Sequence, residues 1–138
     1  MRRALPLAAL AALAFLAPGC LRDGGPESAY RSLAQAISQR DGELAFSLLS
    51  AGSQRWLEGQ ARRAAAAAPG VLAPSAKELL VGDAALGVRP ASAVTVASRS
   101  EDRAVLRVEP ASGGAARAVL VVREGGHWKV ELPLPISP

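Results

Sequence analysis

Cysteine is almost absent from this chain: among 138 residues only Cys20 carries a thiol. Without a second cysteine no internal disulfide can form, so the fold has to rest on its apolar core, and paired-cysteine zinc sites are excluded. Histidine is as scarce. Because His127 stands alone, every Ser/His or Cys/His mechanism and every multi-histidine metal site must use it or fail. Glycine-rich phosphate loops and calcium loops do not occur. Aromatic residues interleaved with basic ones, which single-stranded nucleic acid needs, are missing too. The one extended apolar run, Ala4 to Ala17, stops after 14 residues and contains Pro6, short of the ~20 that span a bilayer. No internal repeat is visible, and the alanines from Ala64 to Ala68 are the only low-complexity stretch.

What is present begins at the N-terminus. Arg2 and Arg3, the apolar run, and a small residue, Gly19, against Cys20 follow one another in the order of a secretory signal. The stretch "LAPGC", Leu16 to Cys20, resembles a bacterial lipoprotein lipobox, although Pro18 replaces the usual small residue and Ala17 the usual leucine. That resemblance implies removal of residues 1–19 as a lipoprotein signal peptide and acylation of Cys20, which would hold the protein to membrane lipid. Residues 20–25 then form the lipidated cysteine and a short polar spacer. The alternative is ordinary cleavage, which leaves a thiol open to oxidation or intermolecular pairing. Arg2 and Arg3 lack the flanks of a twin-arginine export signal. Leu21 follows the cysteine where some bacteria place an inner-membrane retention aspartate, so the bacterial cell envelope is the expected location, with the outer membrane favoured where there is one.

Cleavage before Cys20 leaves 119 residues, 14 basic side chains and 12 acidic ones. That length suits one domain burying about two thirds of its unfolded surface. A charge near +2 is a poor argument for nucleic acid, and no nucleic-acid partner is expected.

Helical spacing comes first along the mature chain. Pro26 and Glu27 suit a first turn, and Tyr30, Leu33 and Ile37 continue it, predicting a helix from about Pro26 to Arg40. Asp41 is placed to cap a second helix bearing Leu44, Phe46, Leu48 and Leu49. Ser53 is expected to cap a third, which carries Trp56 and Leu57 and runs through the alanines until Pro69 and Gly70. Ser75 and Glu78 have the spacing of a capping box, predicting a short helix through Leu79 to Val81. Between Gly82 and Pro90 the signals conflict, with Val88 a candidate for a short edge strand.

After Ala91 the pattern alternates. Val94 and Val96 point one way in a first strand, and Ala104, Leu106 and Val108 in a second. Ala118 to Val122 is apolar on both faces, as a central strand would be. Trp128, Val130 and Leu132 alternate with His127, Lys129 and Glu131 in a fourth. Gly125-Gly126 suits a two-residue hairpin turn. The expected fold class is therefore α+β, with N-terminal helices packed on a curved antiparallel β-meander of about four strands.

"YRSLAQAISQRDGELAFSLLS", followed later by a meander ending "VVREGGHWKVELP", resembles the nuclear transport factor 2-like (cystatin-like α+β) superfamily. The resemblance implies a single domain over residues 26–138, with a curved sheet wrapped around helices to make a pocket. That superfamily holds isomerase-like and dehydratase-like enzymes beside many non-catalytic domains, including small bacterial lipoproteins, so fold alone cannot assign function.

No catalytic constellation is evident. His127 is expected to face solvent opposite Trp128. Asp41 has a capping role that accounts for it, and Glu101 and Asp102 lie in a polar turn where nothing would raise a pKa. Tyr30, Phe46, Trp56 and Trp128 are the candidate pocket-lining residues, with Tyr30 weighed as core with its hydroxyl at the edge. Arg55, Arg62 and Arg63 form a basic stripe that suits a solvated helix face or anionic headgroups. No metal site and no cofactor is expected. The leading expectation is a non-catalytic, lipid-anchored envelope protein that binds an envelope protein partner or a small apolar ligand. A pocket enzyme of isomerase or hydrolase type and a purely structural envelope component stay open as alternatives.

Overall fold

The computed structural model describes residues 24–82 and 87–133; the signal-like stretch and Cys20 lie outside them. Helix α1 covers Pro26–Ser38. Pro26 opens it where a missing N–H costs nothing, and Glu27 sits at the positive end of the helix dipole. Ala29, Tyr30, Leu33, Ala34 and Ala36 form its buried stripe. The helix ends two residues before the expected Arg40 because Arg40 turns left-handed, with φ of 56°. Its N–H donates to Ile37 O and that of Asp41 to Ala36 O, at 3.0 and 2.9 Å. This is a Schellman closure with arginine where glycine is usual.

Asp41 then caps α2 (Gly42–Ser47), its carboxylate accepting from the Leu44 N–H at 3.0 Å. The expected apolar set of this helix is only partly inside. Leu44 is 46 % exposed, whereas Ala45 and Leu49 are buried. Six residues make less than two turns, so α2 has room for one inward side chain, and Leu49 is buried from the segment after it.

Helix α3 runs Ala51–Ala67, and its cap is Ser50, not Ser53: the Ser50 Oγ accepts from the Ser53 N–H at 3.2 Å. From residue 65 to residue 72 every side chain is exposed, so the alanine half of α3 projects from the core. The capping box opening α4 (Ala76–Gly82) is as expected, with the Ser75 N–H on the Glu78 carboxylate at 2.7 Å and the Glu78 N–H on Ser75 Oγ at 3.2 Å. The Ser75 backbone N–H foremost, and after it the Ser75 side chain, lower the Glu78 pKa from its ordinary 4.5. A carboxyl with a depressed folded-state pKa stabilises above its unfolded value and loses that contribution as pH falls through the folded one. Glu78→Gln should therefore lower the melting temperature at pH 7, and thermal melts repeated at pH 3 should show a smaller difference from wild type.

Four strands follow: β1 (Ala91–Arg99), β2 (Arg103–Pro110), β3 (Arg117–Glu124) and β4 (His127–Glu131). They pair antiparallel in the order β1-β2-β3-β4, which makes an open meander. Val88 packs against the core but belongs to no strand. Gly125 and Gly126, with φ of 58° and 82°, make the β3–β4 turn that the glycine pair predicts. Pairing of Val94 with Val108, Ala104 with Val121, and Val121 with Val130 puts the buried residues on one face. Helix α1 lies on that face in contact with all four strands, while α4 packs against both α2 and α3.

Candidate functional site

The outer edge of β4 is closed by the chain between α2 and α3. Leu49 forms a parallel bridge with Val130: the Val130 N–H donates to Leu48 O and the Ser50 N–H to Val130 O, both at 2.9 Å. Lys129 Nζ donates to Ser47 O at 2.6 Å. Ser53, inside α3 and fully buried, accepts from the Leu132 N–H at 2.8 Å and from the Ser50 hydroxyl at 3.0 Å. Helix α3 has no acidic residue in its own first turn. Glu124 of β3 supplies that charge, its carboxylate accepting from the Ala51 N–H at 3.0 Å.

This closure shapes a cavity. The β3–β4 ladder ends at the pair Leu120–Glu131, yet β3 continues against β2 as far as Val108–Arg117. Pro133 has no N–H with which to extend β4, and that of Leu132 is committed to Ser53. A cavity of about 430 Å³ opens where the strands part. Val108, Val119, Leu120 and Leu132 give it apolar walls, and Tyr30, Arg117 and Glu131 also line it. Its size lies at the lower end of the roughly 300–1,000 Å³ of small-molecule pockets.

No family model, no curated protein and no solved structure matches this chain. What the cavity can do therefore follows from its own residues. Tyr30 is 2 % exposed and its hydroxyl is engaged, donating to Arg89 O at 3.0 Å and accepting from the Arg89 N–H at 3.4 Å. It tethers the loop before β1 and lines the cavity.

The other three aromatic candidates do not line this space. Trp128 lines a separate hollow of about 200 Å³ with His127 and Gly24, and its ring lies under two guanidinium groups, Arg99 at 5.2 Å and Arg123 at 6.0 Å. Phe46 and Trp56 are half-buried at the margin of the core, Phe46 beneath Lys77. The four aromatics, three on helices and Trp128 on β4, do not share one cavity.

The polar candidates hold turns and caps. Asp41 caps α2, and Asp102 holds the β1–β2 turn, its carbonyl accepting from the Arg123 N–H at 2.7 Å. Glu101 is exposed, as is His127, and Arg55, Arg62 and Arg63 lie on the exposed face of α3. Among the described residues no three His, Cys, Asp or Glu side chains gather as a metal ion would require, and no helix is long and apolar enough to cross a membrane.

Residues missed by sequence reasoning are Arg117, Glu131 and Glu124. Alternation assigned Glu131 to a solvent-facing side, and its carboxylate in fact turns to the first turn of α3, Oε1 lying 3.8 Å from where a Cβ on Gly52 would sit. Nothing in the local sequence of 117, 124 or 131 marks these partners, which lie far away along the chain.

Proposed function

We propose that this is a non-catalytic lipoprotein of the bacterial cell envelope, anchored through acylated Cys20, the outer membrane favoured, whose domain holds a small apolar ligand. The observation that carries the ligand is the apolar cavity between β3 and the end of β4. The anchor rests on the signal layout and on "LAPGC". Helix α1 begins at Pro26, six residues after that cysteine, so a short spacer keeps the domain at the membrane surface. The cavity favours a ligand over a protein partner, because its walls are recessed and not a raised patch.

Membership in the nuclear transport factor 2-like superfamily belongs to the same proposal. Helices followed by an antiparallel meander support it. So do the register shifts of β1 between Ala91 and Ala93 and between Val96 and Ser98, since bulges bend a strand and curve its sheet.

The test is the intact mass of the protein recovered from the membrane fraction, beside a Cys20→Ala variant, with native mass spectrometry of the same material. A mature chain starting at Cys20 with added acyl mass, lost in the variant, is the expected result, together with a small bound species. Unmodified protein in the soluble fraction would remove the anchor, and a chain that never carries a ligand would remove the cavity reading.

A further inference from the structure

We infer that the cavity is built for an apolar monoanion, a medium-chain carboxylate whose head group pairs with Arg117 and whose chain lies along Val108, Val119, Leu120 and Leu132. This deepens the ligand reading above and rests on it. Among the described residues, Arg117 and Glu131 are the charged ones lining the cavity, and Arg117 is the one left to a ligand.

Glu131 pairs in register with Leu120 and Arg117 with Val108. The two positions lie three steps apart on β3, about 10 Å along an extended strand, and an odd spacing puts them on opposite faces. They form no ion pair with each other: the ion pairs among the described residues are Lys77–Glu43 and Arg107–Glu109. The carboxylate of Glu131 lies by the first turn of α3, where the positive end of a 17-residue helix complements it.

Arg117 has no such partner among the described residues. Its guanidinium reaches across the cavity mouth to Gly87, where a Cβ would stand only 2.9 Å from Nη1. Gly87 has φ of 72°, so the backbone there is one that glycine adopts freely. The chain thus passes close to this exposed guanidinium without a side chain between them. A planar fork of N–H donors suits a carboxylate bidentately. The Tyr30 hydroxyl cannot compete, being committed to Arg89. With aliphatic walls and one guanidinium that has no partner among the described residues, the lining complements a ligand that is apolar over most of its length and negative at one end.

The experiment is isothermal titration of the full chain, held in zwitterionic bilayer discs, with hexanoate, octanoate and neutral octanol, empty discs being titrated as the blank. Octanoate should bind at least tenfold more tightly than octanol. It should also exceed hexanoate by about fourfold per methylene. Arg117→Gln should abolish the preference for octanoate over octanol while leaving the far-UV circular dichroism spectrum unchanged. Equal binding of octanoate and octanol, or an unaltered preference in Arg117→Gln, overturns the role of Arg117 and leaves the apolar cavity standing. Absence of binding by all three overturns the cavity reading as well. The comparison of octanoate with octanol on the unmodified chain decides the matter even where the variant fails to fold.

Discussion

Leu33→Ala should destabilise the protein by about 3 kcal/mol, inside the roughly 2–5 kcal/mol range for truncating a buried leucine. Leu33 is fully buried at the middle of α1. Since α1 alone among the helices touches all four strands, a hole at this position is lined by both layers. Neither layer can collapse into it without dragging the other. A domain of this size has about 5–15 kcal/mol of stability in all, so the loss would be visible as a large drop in the midpoint of urea unfolding. Leu33→Met, which keeps most of the volume, should cost less than about 1.5 kcal/mol. A loss below about 1 kcal/mol for the alanine variant would mean that α1 is not what joins helices to sheet.

Ser53→Ala is the second large effect, expected at about 2–3 kcal/mol. The change removes only the hydroxyl, and with it the acceptor of the buried Leu132 N–H and the partner of the Ser50 hydroxyl. Leaving a buried donor unsatisfied costs about 1–3 kcal/mol. Two groups are affected here. The same substitution frees the end of β4, so amide exchange at Leu132 should accelerate more than at Val121 in the sheet centre. Ser50→Ala, which removes the α3 cap, should cost about 1 kcal/mol. In the double variant the losses should fall short of additivity because the two hydroxyls share one bond. If Ser53 acted only as a helix cap, exchange at Leu132 would not change.

These two positions were unequally legible. Leu33 belongs to a stripe that recurs at helical spacing, and burial of that stripe follows from solvent exclusion wherever the helix lands. Ser53 looked like a cap because serine before a tryptophan and leucine is what a helix start resembles. Its hydroxyl was instead drawn inside by a backbone N–H 79 residues later, and Ser50, three residues upstream, took the cap. Val88 is a similar case: an apolar residue between breakers suggested a strand, and packing against the core satisfied it without one.

The sequence by itself determined the succession of four helices and four strands, the β3–β4 turn at Gly125-Gly126, the capping box of Ser75 and Glu78 and the inward faces of β1, β2 and β4. Periodicity, turn chemistry and caps act over a few residues, so they are written in neighbouring letters. The tertiary structure alone decided which side chains meet: Glu124 at the start of α3, Tyr30 on Arg89, Arg117 over Gly87, and the early parting of β4 from β3 that opens the cavity. Those contacts join residues dozens of positions apart, and their geometry depends on how whole elements pack. No local pattern encodes that.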